Sequence, residues 1–169
     1  FKRLELAEAA GWSQVFSGDP SRTEATLDRL ERAADDMADE GRRRSLRGAA
    51  ASMRAFSLMQ QGRPEESEAK AREAEALLGP ERKFSRVIVP FIYGTRSRMD
   101  ARYAEALDRF ARFRAQAEEW GDIWTIMMAS FETCMTLRYM GRLSEAEEAY
   151  RRAMGEADRR GVRSFGSSC

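Results

Sequence analysis

The sequence predicts an all-α fold, a solenoid of about four antiparallel helix-turn-helix units. Three observations carry this. Turn residues Gly18, Gly62, Ala101 and Gly141 stand 44, 39 and 40 residues apart. Seven residues before each turn the chain is small (Gly11, Ala55, Gly94, Cys134), and five residues after it is small again (Thr23, Ser67, Ala106, Ala146). Nine residues after the turns come Leu27, Ala71, Phe110 and Tyr150, and twelve after come Leu30, Ala74, Phe113 and Ala153. A period of roughly 40 residues with two segments per unit is the pattern of stacked helical hairpins. The units fall near 1–41, 42–80, 81–121 and 122–161, with 162–169 a tail or the start of a further unit. All of 1–169 reads as one domain.

The first helices are expected at Leu4 to Phe16, Leu46 to Gln60, about Val89 to Met99, and Ile123 to Met140. The second helices show in their stripes. Leu143, Ala146, Tyr150, Ala153 and Ala157 step by three and four, as do Tyr103, Ala106, Phe110, Phe113 and Ala117. Pro20 and Pro64 stand where a helix starts and a missing N–H costs nothing. Gly41, Gly79, Gly121 and Gly161 are read as closing glycines. Pro90 either starts its helix or kinks it. Val87-Ile88-Val89 alone has β-branched character, and a lone strand has nothing to pair with. Helices of a hairpin approach to about 8–10 Å only where the contact residues are small, which explains the two small series.

With 169 residues and 43% hydrophobic content, the chain can bury a core. Its longest apolar stretch, Val87 to Tyr93, is too short to span a membrane and contains Pro90. A net charge of +1 recommends neither nucleic acid nor an anionic membrane as partner. Arg42-Arg43-Arg44 and Arg159-Arg160 are expected to be solvated loops between helices. The chain has no His, which removes Ser-His-Asp and Cys-His nucleophile systems and His-ligated metal sites. Two cysteines are too few for a Cys₄ site. Cys134 falls on a small packing position, and Cys169 is expected to be exposed. Neither a metal nor any other cofactor is expected. Glu118-Glu119 and Asp35-Asp36 read as solvated helix faces rather than acid-base pairs. The chain does not begin with Met and its pattern is already running at Leu6, so it reads as a piece of a longer protein.

The fourth unit carries a family resemblance. Cys134, Gly141, Ala146, Tyr150 and Ala153, within the run Gly-Arg-Leu-Ser-Glu-Ala-Glu-Glu-Ala-Tyr-Arg-Arg-Ala at 141–153, resemble the tetratricopeptide (TPR) repeat. That family's late Pro is missing, and Asp35, Gly79, Glu118 and Asp158 stand there instead. The longer period, together with Leu-Arg-Gly-Ala-Ala-Ala (46–51) and Glu-Trp-Gly-Asp-Ile-Trp (119–124), is similar to the MalT-like helical repeats of ATP-dependent, LuxR-type bacterial transcription regulators. The resemblance implies right-handed stacking and a cytoplasmic, non-catalytic sensor or interaction segment. No glycine-rich phosphate loop occurs, and no tail remains for a helix-turn-helix. The alternative is a general scaffold in another signalling protein, binding peptides or a domain of its own chain.

In this family the first helices line a concave face. The resemblance places Trp12, Phe16, Phe56, Met59, Phe91, Arg98, Phe131, Met135, Arg138 and Tyr139 there, either an apolar groove for a protein or peptide segment or a small effector, or a face that a tight superhelix or a neighbouring domain covers. Arg98 and Arg138 share one repeat position and are offered as a clamp for a carboxylate. The competing expectation pairs each with a local acid such as Asp100 or Glu132. The family's grip on C-terminal carboxylates needs Lys and Asn where this chain has Glu8 and Trp12. Exposed solenoid ends would favour self-association into a homo-oligomer.

Overall fold

The structure is a computed structural model and describes residues 2–161, with side chains from Leu6 onward. Cys169 and the tail from Val162 lie outside the described residues. Eight helices are present and no strand occurs among the described residues. They are α1 (Lys2–Ser17), α2 (Pro20–Asp35), α3 (Glu40–Gln60), α4 (Pro64–Leu77), α5 (Lys83–Met99), α6 (Tyr103–Trp120), α7 (Ile123–Tyr139) and α8 (Leu143–Arg159). The chain divides into two compact units, one ending at Ile92 and the other beginning at Tyr93.

The turns follow from local chemistry. Gly18, Gly62 and Gly141 take φ of 72°, 71° and 72°, and Ala101 takes 58° at the matching place. This left-handed geometry lets Arg63 N–H reach the Leu58 carbonyl at 3.0 Å. Arg102 N–H reaches Ser97 at 2.8 Å and Arg142 N–H reaches Leu137 at 2.9 Å. These bonds close otherwise orphaned helix-end carbonyls. Each of these three turns is followed by the same side-chain pair on the next helix: Arg63–Glu66, Arg102–Glu105 and Arg142–Glu145. The hydrogen bond from its arginine, Arg63 or Arg142, holds the Glu66 and Glu145 carboxyls below the usual carboxylate range. Solvent screens such exposed pairs, so they add little stability.

Three helices start on an aspartate. Asp19 accepts from Ser21 and Arg22 N–H, Asp39 from Arg42 N–H, and Asp122 from Trp124 and Thr125 N–H. Pro20 and Pro64 open α2 and α4, as expected.

Several boundaries differ from the sequence reading. The Asp39 cap starts α3 at Glu40, so Gly41 lies inside a helix rather than closing one, and Arg42-Arg43-Arg44 form its first turns instead of a loop. Arg159 likewise ends α8. α5 begins at Lys83 and runs through Pro90, which neither starts it nor ends it. Val87, Ile88 and Val89 are helical there because all three are buried. Tertiary burial outweighs their modest local preference against helix.

In the first unit α1 and α2 pack together and both pack on α3, which pairs with α4. Leu27, Leu30, Leu46, Met53, Ala71 and Ala74 fill that core. Ser67 Oγ donates to the Ala55 carbonyl at 2.7 Å, joining the two small positions of that hairpin. In the second unit α7 packs on α6 and α8. Phe110, Phe113, Ala117, Ile126 and Ala157 are its interior, and the Cys134 thiol lies 3.5 Å from the Ala146 carbonyl.

Candidate functional site

In the first unit the first-helix residues form an aromatic ladder. The Trp12 ring meets Phe84 edge-on at 5.0 Å and Phe56 at 6.2 Å, and stacks on Phe16 at 5.7 Å. Phe56 continues to Phe91 at 5.6 Å. Such ring pairs add to the area they bury. Trp12, Phe56 and Phe91 are 6%, 6% and 5% exposed, so these three are interior rather than open groove lining. Phe16 is exposed at the edge, and Met59 is half-buried. The reason is that the rings of α1, α3 and α5 pack on one another, Trp12 against Phe56 and Phe84, and Phe56 against Phe91.

The ladder rests on a polar network. Trp12 Nε1 donates to Ser85 Oγ at 3.3 Å, and Ser85 Oγ donates to Glu8 Oε1 at 2.9 Å. Arg82 donates to Glu8, and Ser45 Oγ donates to Glu81. That last bond holds the Glu81 carboxyl below the usual range. Glu8, Asp39, Arg42, Ser45, Arg82 and Phe84 border a cleft of about 740 Å³. Its Arg82 and Glu8 charges compensate each other. The sequence reading passed over this cleft because Glu8 and Arg82 lie 74 residues apart.

In the second unit the two arginines offered as a clamp have different surroundings. Arg98 Nη2 donates to Glu132 Oε2 at 2.9 Å, both side chains being largely buried at 16% and 11% exposure. The Arg98 guanidinium also lies 5.4 Å from the centre of the Tyr139 ring. Arg98 therefore already holds an internal carboxylate, the competing expectation for it. Arg138 is exposed. Its Nη1 lies 3.6 Å from Met135 Sδ, and no carboxylate pairs with it among the described residues. Phe131, Cys134, Met135, Arg138, Leu143, Ala146, Glu147 and Tyr150 line a shallow cleft of about 340 Å³ between α7 and α8. Phe131, Tyr139 and Leu143 are 43%, 58% and 64% exposed. Leu143 was missed as surface because it stands in the same three-and-four stripe as the packing positions Ala146, Tyr150, Ala153 and Ala157.

Burial pushes the Glu132 carboxyl up, and the Arg98 charge only partly opposes this. The folded chain therefore holds that proton more tightly than the unfolded chain. The stability contributed is present at low pH and is lost as pH rises through the folded value. Relative to Glu132→Gln, which keeps an acceptor for Arg98, the wild type should gain stability as pH falls from 7 toward 5. Paired thermal melts across that range check the sign.

No group of three or more Cys, Asp or Glu side chains is placed to hold a metal ion among the described residues. No described helix is long and apolar enough to cross a membrane. In comparisons with protein-family models, curated proteins and solved structures, none matches the chain.

Proposed function

We propose that this chain is a non-catalytic interaction segment, a right-handed TPR-like solenoid of about four helical hairpins, working as the sensor or coupling part of a MalT-like, LuxR-type transcription regulator. The observation that supports it best is on α7. Phe131, Tyr139 and a carboxylate-free Arg138 share the exposed side of α7, where large apolar surface is costly to leave in water. The protein's function is then to bind a protein or peptide segment, or a small effector, and pass that state to neighbouring modules. The lack of any His, and of a glycine-rich phosphate loop, agrees with chemistry done elsewhere.

The test has two arms. The reading frame around this chain should encode an ATPase module before it and a helix-turn-helix module after it. A kinase or cyclase there would instead support the scaffold alternative. In the full-length protein, amide hydrogen exchange along α7 should slow when the regulated partner or effector is bound. Protection confined to α2, α4, α6 and α8 would remove the first-helix face as the site.

A further inference from the structure

The connection between α4 and α5 is tied to the first unit through one hydroxyl. Leu78 is buried at one end of it, and at the other the Phe84 ring packs on Trp12 at 5.0 Å. None of the five residues between them, 79–83, is buried. The segment has no apolar anchor of its own, so polar bonds set how firmly it is held.

Ser45 of α3, itself 3% exposed, makes those bonds. A serine hydroxyl can donate once and accept twice. Ser45 Oγ does all of this with the one segment. It donates to Glu81, and it accepts from Gly79 N–H at 3.3 Å and from Arg82 Nε at 3.4 Å. Glu81 and Arg82 are charged, which strengthens their two bonds. Arg82 also donates to Glu8 of α1. Inside the segment the bonding is local, since Arg82 N–H donates to the Gly79 carbonyl at 3.2 Å. The turn therefore keeps its own bond when its ties to α3 and α1 are cut. All of 79–83 lines the cleft of about 740 Å³, together with Met37, Asp39 and Arg42, so the position of this segment sets how wide the cleft stands.

We propose that 79–83 is a strap on this cleft, latched by the Ser45 hydroxyl, which opens and closes while the helices of the first unit stay folded. Release frees Glu81 and Arg82 together, because one hydroxyl holds both. It also parts Arg82 from Glu8. The closed cleft presents a compensated ion pair, and the open cleft presents a carboxylate whose guanidinium has left. The strap thereby switches the charge of the cleft as well as its width.

Gly79 offers a second way to release it. A Cβ there would collide with the Glu81 carboxylate, the far end of a flexible side chain. Gly79 is not left-handed, so this clash is the strain an alanine brings. Gly79→Ala therefore pushes Glu81 off Ser45 and leaves α3 untouched.

The test uses the whole chain carrying Met37→Cys. Alkylation at position 37 by iodoacetamide reports on the cleft, and peptide mass spectrometry follows Cys134 and Cys169 separately. Amide hydrogen exchange is measured alongside. Ser45→Ala and Gly79→Ala should each speed alkylation at position 37 about ten-fold or more, the shift expected from losing a charged hydrogen bond. Exchange of the Arg82 amide, which does not bond to Ser45, should rise by a like factor. Amides of Met53 and Ile88, inside α3 and α5, should keep their wild-type rates.

Unchanged alkylation in both variants would overturn the proposal, because the segment would not govern the cleft. Equal acceleration at Met53, Ile88 and Arg82 would also overturn it, since the opening would then be unfolding of the unit. So would an effect of Ser45→Ala that Gly79→Ala does not share, which would place the cause in α3 rather than in the latch. Should Ser45→Ala not fold, Gly79→Ala alone decides among the first two outcomes and the expected one.

Discussion

Replacing Phe110 by Ala should destabilise the second unit by about 3–5 kcal/mol, the range for removing a fully buried aromatic ring. Phe110 is 0% exposed. Its ring fills the space that Gly94 leaves on the neighbouring helix, where a Cβ would lie 2.6 Å from Phe110 Cε1. Gly94 has no side chain that could relax into the void. Phe113, one turn further on and also 0% exposed, is already packed. The cavity term is therefore added to the lost transfer energy rather than relieved. Urea unfolding followed by Trp fluorescence measures the loss, and a cost below about 1 kcal/mol would show that the site collapses. The converse change, Gly94→Ala, should be destabilising alone and better tolerated with Phe110→Leu. Contacting residues couple in this way, and a double-mutant cycle reports it.

The same pair shows why much of the fold was legible. The Phe110 ring nine residues after its turn requires the small Gly94 seven before it, and both positions recur in the sequence at separations of 44, 39 and 40 residues. The left-handed turns select Gly at three places, and the period located the fourth, where Ala101 breaks the chemical rule but keeps the geometry. Boundaries were harder to read where a cap competes with composition. Asp39 pulls Arg42-Arg43-Arg44 into a helix although three successive arginines read as loop. The candidate site was legible as a set of positions but not as a surface. Trp12 and Met135 share one position, yet the first is buried against Phe56 and Phe84 and the second is half-buried. Arg98 and Arg138 are likewise equivalent in sequence. Their surroundings differ: Glu132, 34 residues from Arg98, pairs with the first, while no carboxylate pairs with Arg138 among the described residues. Hydrophobic periodicity specifies which way a side chain points and carries no information about what stands opposite.

Gly48→Leu should be the most damaging single change in the first unit, and Gly48→Ala should already cost about 1–3 kcal/mol through overpacking. Gly48 is buried in the middle of α3. A Cβ there would stand 2.8 Å from Leu78 N and 2.9 Å from the Leu77 carbonyl carbon. Ala favours a helix interior over Gly by up to about 1 kcal/mol, so on propensity alone the change would stabilise. Sterics decide against it because the opposing atoms are backbone. Leu78 N–H donates to the Ala74 carbonyl at 2.9 Å, and Arg44 Nη2 donates to the Ala76 carbonyl at 2.5 Å. The end of α4 cannot withdraw without breaking such bonds. Gly11 is the control. Its nearest neighbour is the flexible end of Met53, at the same 2.8 Å, and that thioether can swing away. Gly11→Ala should therefore cost less than about 1 kcal/mol, since its helix gain offsets most of the strain. Parallel urea titrations of the two alanine variants give the comparison. If Gly48→Ala proved as stable as the wild type, α3 and α4 would not approach as closely at Gly48 as the structure places them.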